Sequence, residues 1–239
     1  MNEAVFISDL HLHPAQPAIM EKFRQFVSWA ANNTRSIYIL GDFLHVWAGD
    51  DASDMWSDEI TALLAGLADQ GIRLFFLAGN RDFLIGEQFL DKAKMQRLVD
   101  PTVIRLGEEN VLLSHGDRYC TQDYSHLCFQ FLTRNRWFRF LFLRLPYPLR
   151  QSLVNRVRDY SQQNMRKSFQ SMQTVPAAMQ KEIRRYASAR LIHGHTHQPG
   201  VCAHQKDEVY WQEYTLSDWD ENPSVLCYNN TIYQFFHFQ

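Results

Sequence analysis

Groups able to hold a cation recur at five places along the chain. They are Asp9-Leu10-His11, Gly41-Asp42, Gly79-Asn80-Arg81-Asp82, Ser114-His115-Gly116-Asp117 and His193-Gly194-His195-Thr196-His197. Asp9, His11, Asp42, Asn80, His115, His195 and His197 together offer carboxylate and amide oxygens and imidazole nitrogens, with no thiolate. That donor mix suits Mn²⁺, Fe²⁺ or Zn²⁺ in a catalytic site better than Ca²⁺ or a structural zinc. A lone histidine is more often structural than a ligand, but seven such donors in five short motifs form a set. His13, His45, His126, His204 and His237 lack that company and read as ordinary polar residues.

Stepping outward, each motif follows a strand or an apolar run. Val5–Ile7, Ile37–Leu40, Leu74–Leu77, Val111–Leu113 and Leu191–Ile192 read as buried strands. Polar clusters just beyond such strands suit a site at the carboxyl edge of an α/β sheet. Asp9 and His11, and likewise His195 and His197, alternate; on an extended backbone both members of a pair would face the same way. Residues 18–31 and 57–70 read as helices, so strands and helices alternate as in an α/β layered domain. The stretch from Val209 to Phe238, rich in Tyr, Trp, Val and Phe, reads as added strands.

The chain has 239 residues, 46% hydrophobic and 21% charged, which suits one sizeable domain and excludes wholesale disorder, collagen and coiled coil. No apolar run reaches the roughly 18 residues that span a bilayer. The start, MNEAVFISDLHLH, lacks the basic region of a secretory signal. Cys120, Cys128, Cys202 and Cys227 form no CxxC pair, and each reads as a free, buried thiol in a reduced, cytoplasmic protein.

The net charge of −2 argues against a protein that coats nucleic acid, yet it hides a segregation. Residues 134–167 hold eight arginines and Lys167 against the single acid Asp159, a net of +8, so the remainder carries −10. This segment also contains Trp137-Phe138-Arg139-Phe140-Leu141-Phe142-Leu143, and Pro146 and Pro148 divide it into two helices. It reads as a helical insertion whose basic, aromatic character fits an anionic membrane surface.

The ordered set D-x-H, GD, GN, H, GHxH resembles the calcineurin-like metallophosphoesterases over nearly the whole length. FISDLHL, YILGDFLHVWAGDD, GNRDFLIGEQF, LLSHGD and LIHGHTH resemble more closely the branch of that superfamily acting on UDP-2,3-diacylglucosamine. The resemblance implies a four-layer α/β/β/α core in a single domain, 1–239, with a helical lid inserted at 124–172. It assigns Asp9, His11, Asp42 and His197 to one metal and Asp42, Asn80, His115 and His195 to a second, with Asp42 bridging. Two Mn²⁺ ions are the expected cofactors, with Fe²⁺ or Zn²⁺ as alternatives; such a pair lowers the pKa of a shared water and neutralises phosphoryl charge. Asn80, Arg81 and His195 carry over as catalytic residues. Asn80, Arg81, Asp123, Ser161, Asn164, Lys167 and His195 carry over as substrate contacts. The implied reaction is hydrolysis of the pyrophosphate into UMP and 2,3-diacylglucosamine 1-phosphate, by attack on the α-phosphorus, in lipid A synthesis. The enzyme would work peripherally on the cytoplasmic face of the inner membrane.

Two departures from family patterns matter. Many members of the superfamily carry His where Arg81 stands, and that His is often assigned as a general acid. Arg cannot give up a proton, but its fork can grip a phosphate. The acid is dispensable only if the leaving group is stable as an anion, as a phosphate is with its second pKa of about 6. Arg81 therefore favours pyrophosphate cleavage over a simple phosphodiester, unless it merely pairs with Asp82. Near the C-terminus, Ser217-Asp218-Trp219-Asp220 stands where the family commonly has Gly-x-Trp-His. Two rival readings are a superfamily enzyme acting on a soluble nucleotide, which leaves the apolar insertion unexplained, and a metal-free binding module, which leaves seven intact ligands unexplained. Asp117 is a candidate for orienting an imidazole, or a plain surface acid.

Overall fold

Strand β1 (Ala4–Ile7) is apolar at every position because both of its faces are covered. Val5 and Ile7 enter one core, while Ala4 and Phe6 enter another on the opposite side. The computed structural model describes residues 1–122, 124–165 and 173–238; at 124–126, 128 and 158–165 it describes the backbone alone.

Two sheets stack through that second core. The first holds β1 in the order β11-β10-β1-β2-β3-β4, with β2 (Ser36–Leu40), β3 (Arg73–Leu77), β4 (Met95–Leu98), β10 (Val225–Asn229) and β11 (Ile232–Phe236). Strands β1 to β4 run parallel, and β10 pairs antiparallel with β1. The other sheet has the order β5-β6-β7-β9-β8, from β5 (Thr102–Leu106), β6 (Glu109–Leu113), β7 (Arg190–His193), β8 (Gly200–Lys206) and β9 (Val209–Thr215). Here β6, β7 and β9 are parallel, and the outer strands are antiparallel.

Helices α1 (Pro17–Asn33), α2 (Met55–Asp69) and α3 (Glu87–Lys92) cover the first sheet. Asp54 starts α2 with a reciprocal cap, its carboxylate accepting the Ser57 N–H while the Ser57 hydroxyl accepts the Asp54 N–H. The fold is thus a four-layer α/β/β/α arrangement, closed on the far side by α7 (Pro176–Arg185). Met179 and Ile183 of that helix pack on Leu112, Leu191 and Trp211. The expected strands and helices are present; β4, β5 and β8 are additional. The last of these, Gly200–Lys206, is largely exposed and lacks the apolar run by which the others were recognised.

Between β6 and α7 lie α4 (Tyr124–Thr133), α5 (Arg136–Leu143) and α6 (Tyr147–Met165). The expected break occurs at residues 144–146, and Pro148 falls in the first turn of α6, where its missing N–H costs nothing. Asn135 caps α5 by accepting the N–H groups of Trp137 and Phe138. Phe142 of α5 reaches the first core and stacks with Phe138 at 5.6 Å. Other apolar side chains face solvent: Phe131 is 80% exposed, Trp137 67% and Leu141 62%.

A buried Arg ties this insertion to the body. Arg150 is 1% exposed; it donates to the Ala48 carbonyl at 2.6 Å and pairs with Asp51. No helix among the described residues is long and apolar enough to cross a membrane.

Candidate metal centre

The five motifs meet where β1, β2, β3, β6 and β7 end. An extended chain there would send alternate residues the same way, but the structure uses a sharper device. Asp9, His11, Asp42, His195 and His197 all have φ between 50° and 71°. A non-glycine residue held in the left-handed region costs about 1–2 kcal/mol. Five such residues in one site mark a backbone bent to bring side chains together, as strained sites do. Glycine is required beside them: a Cβ on Gly79 would collide with the Asp42 carboxylate, and one on Gly194 with the Asp9 carboxylate.

Two groups of ligand atoms form. Those of Asp9, His11 and His197 lie within 4.8 Å of one another, as do those of Asp42, His115 and His195. Each group is shaped for a cation. His115 Nδ1 lies 2.9 Å from the Leu40 carbonyl, which can only accept, so Nδ1 carries the proton. Nε2 then faces Asn80 Oδ1 at 2.9 Å and Asp42 Oδ1 at 3.6 Å, the direction in which it would ligate once deprotonated. In the other group, Asp218 sits 3.2 Å from His197 Nδ1, and His197 Nε2 faces His11 Nε2 at 3.4 Å and Asp9 Oδ1 at 3.6 Å. Asp9 Oδ1 is buried without a hydrogen-bond partner, while Asp9 Oδ2 is fully used, accepting from Ser8 Oγ at 2.6 Å and the His195 N–H at 2.9 Å. Acceptors crowded at these separations repel unless a positive charge lies between them. The residues present therefore fit divalent cations at both positions.

Without an ion bound, a protonated His115 supplies the positive charge that these acceptors need, and a cation would take the place of its Nε2 proton. Burial would lower His115, but the carboxylates of Asp42, Asp117 and Asp9 outweigh it and the ring is pushed up to about 9. Burial lifts Asp42 above the usual carboxylate range against the pull of His115 and Arg81. Burial also opposes ionisation of Asp9, yet His197, His115 and His11 hold it well below that range.

Asp82 braces the site from beneath. It is fully buried, accepting the Phe43 N–H at 2.8 Å and the Gly79 N–H at 2.7 Å, and so links the Asp42 and Asn80 loops. Arg81 does not pair with Asp82: its Nε lies 3.5 Å from Asp42 Oδ2 and its Nη1 3.5 Å from His45 Nδ1. Asp117 is 1% exposed and shares Arg134 with Asp100, at 2.8 and 2.7 Å, so it is no plain surface acid. This pair of bonds fastens the residue after α4 to the His115 loop. Phe129 of α4 also meets Phe83, two residues beyond Arg81, ring to ring at 6.1 Å.

Asp9, His11, Asp42, Asn80, Arg81, His115, His195 and His197 are thus brought together. Asp123 and Lys167 lie outside the described residues; Ser161 and Asn164 fall on α6, where side chains are not described. The sequence reading missed two residues. His45 was taken as an ordinary polar residue yet meets Arg81. Asp218 was seen only as part of a departure from the family pattern, yet it faces the His197 ring while Trp219 beside it is buried on Phe26 and Phe238. The one signal was its place next to a Trp after a strand.

Comparison with known proteins agrees with the geometry. The model of the calcineurin-like phosphoesterase family matches residues 4–199. A UDP-2,3-diacylglucosamine hydrolase of Aeromonas hydrophila is 40% identical over 223 residues, 93% of this chain and 92% of that protein. One of Xanthomonas axonopodis pv. citri is 40% identical over 230 residues, 93% of each chain. One of Vibrio cholerae is 35% identical over 230 residues, 95% of each.

Proposed function

The chain belongs to the calcineurin-like phosphoesterase family, and from that premise we propose that it hydrolyses the pyrophosphate bond of UDP-2,3-diacylglucosamine to UMP and 2,3-diacylglucosamine 1-phosphate, a step of lipid A synthesis. The observation that carries this reading is the pair of buried ligand groups with Arg81, not an acid, at their edge. Relatives named for this substrate, matched over nearly their whole length, support it.

Asp9, His11, Asp42 and His197 would hold one ion, and Asp42, Asn80, His115 and His195 the other. Mn²⁺ is the ion we favour, with Fe²⁺ or Zn²⁺ suited to the same donors. When bound, divalent cations here supply Lewis acidity toward phosphoryl oxygens and lower the pKa of water.

The chain's own residues supply the rest. Arg81 presents a guanidinium, 26% exposed, to the open side of the site, where it can hold a phosphate by two N–H groups. It donates no proton, and none is needed: the departing sugar phosphate is stable as an anion at neutral pH. In this reading Asn80 and His195 act as positioning and charge-stabilising contacts to the attacked phosphoryl group. Asp218 and the Leu40 carbonyl hold the His197 and His115 rings in the tautomer that faces inward.

Residues 124–172 serve as a lid for the acyl chains, within a single domain spanning 1–239. Asp123, Ser161, Asn164 and Lys167 are further substrate contacts in this reading. The exposed Phe131, Trp137 and Leu141 among arginines favour peripheral contact with anionic lipid on the cytoplasmic face of the inner membrane, each basic residue contributing about 1 kcal/mol.

Hydrolysis in ¹⁸O-water tests the site of attack. Mass spectrometry is expected to find the label in UMP; label in the lipid phosphate alone would overturn the α-phosphorus assignment. Faster hydrolysis of bis-(p-nitrophenyl) phosphate than of the acylated sugar nucleotide would overturn the substrate.

A further inference from the structure

A third set of metal-ligating side chains lies away from the strand ends. The ligand atoms of Cys202, His204 and Glu213 fall within 4.8 Å of one another. The β8–β9 hairpin brings them together: Cys202 is the register partner of Glu213, and His204 lies two residues on, on the same face. This corrects the reading of Cys202 as a buried thiol and of His204 as an ordinary polar residue, since Cys202 is exposed and free.

The three groups are held unequally. Trp211, opposite His204, stacks on its ring at 4.7 Å and 12°, which fixes the imidazole plane. Glu213 is buried; its Oε1 lies 2.8 Å from His193 Nε2 and accepts from Thr174 Oγ1 at 3.3 Å, while its Oε2 lies 2.5 Å from His204 Nε2. An aligned imidazole and an anchored carboxylate therefore already converge, and an accessible sulfur completes a side open to solvent. Thiolate, imidazole and carboxylate are the donors of a borderline ion such as zinc, which accepts three protein ligands and a water.

We propose that Cys202 Sγ, His204 Nε2 and Glu213 Oε2 form a separate binding site for a zinc-like divalent transition-metal ion. Binding releases the Cys202 thiol proton to solvent and leaves the His204 ring proton on Nδ1, so that Nε2 is free to ligate as a neutral imidazole. The ion joins the β8–β9 hairpin to the carboxylate on which His193 of β7 rests. It thereby braces the strand that leads into His195 and His197, without taking part in the reaction.

Sulfur distinguishes this site from the strand-end centre, whose donors are nitrogen and oxygen alone. The test is to saturate the full-length protein with Mn²⁺ and titrate it with Co²⁺, following the near-ultraviolet thiolate-to-cobalt absorption. The expected band saturates at one equivalent, is erased by Zn²⁺, and is missing in Cys202→Ser. Because Cys202 is exposed, that variant keeps its fold, checked by circular dichroism, and its hydrolytic rate. A second variant, His204→Ala, is expected to weaken the Co²⁺ affinity tenfold or more. Absence of the band in the native protein, or a band of undiminished strength in Cys202→Ser, overturns the proposal. Neither result depends on the substrate.

Discussion

The strand-end loops and helices α4–α6 invert the usual arrangement of a protein in opposite ways. At the strand ends, ionisable groups are buried: Asp9 is 1% exposed, Asp42 2% and His115 0%. Across the helices, large apolar groups are exposed instead. Burying charge costs free energy unless it is compensated, and here hydrogen bonds from the backbone, neighbouring imidazoles and the fit to cations compensate it. Exposing aromatic groups likewise costs burial that a partner surface would restore. The first region is held by hydrogen bonds from Ser8, His195, Phe43 and Gly79, with Asp9 Oδ1 left open toward the cation position. Among the described residues the other is fastened by Arg134 and Arg150, while Phe131, Trp137 and Leu141 stay exposed. In the proposed reading, chemistry and substrate selection are carried by separable parts of the molecule.

Removing Asp42, the carboxylate proposed to serve both ions, should have the largest effect. Asp42→Asn is expected to lower hydrolysis by roughly 10³-fold and to reduce bound metal, measured by rate and metal analysis. A near-native rate would break the assignment of that region. Asp218→Asn acts one step further out, through the His197 ring. It is expected to weaken Mn²⁺ activation by about 10–100-fold while sparing the fold, as loss of a carboxylate behind a ligating imidazole does.

Arg150→Met would sharpen the separation. It leaves the Ala48 carbonyl unpaired and should cost about 1–3 kcal/mol of stability in chemical denaturation. It should raise KM for the acylated substrate while the rate on a small phosphodiester holds; equal losses on both would mean that the two regions are not separable.

Trp137→Ala tests the exposed face. It should change stability by less than about 0.5 kcal/mol, as surface substitutions do, and weaken binding to vesicles containing anionic lipid by about tenfold. Unchanged vesicle binding would remove that residue from the membrane contact.

The smallest effect is a pH dependence behind the metal site. Burial tends to raise Glu213, but its bonds to His193 and His204 prevail and hold it below the usual range. A lowered carboxylate stabilises the fold above its unfolded pKa and loses that contribution as acid protonates it. With chelator present, the stability lead of the native protein over Glu213→Gln should be full near neutrality and shrink as pH falls below 4.5, the unperturbed value. A lead that is flat through that range would contradict the assignment.

The division between what could be read in the chain and what could not follows a physical line. Apolar runs and their alternation with helical segments gave the layers, because burial on both faces of a strand leaves a continuous apolar signature, and strand β8 was missed because it has none. Seven donors at five strand ends were legible because their types and order are local facts. The left-handed turns at Asp9, His11, Asp42, His195 and His197 were not legible, since sequence period implied extended alternation and only packing forces the tighter bend. Nor could the pairing of His197 with Asp218, of Arg81 with Asp42 and His45, or of Cys202 with Glu213 be foreseen. Each joins residues from different elements, and such partners are set by sheet order and register. The sequence by itself determined the donors, the segregation of charge and the family. The tertiary structure decided which atoms face each other, because distance in space between residues remote in the chain exists only once the sheets have stacked.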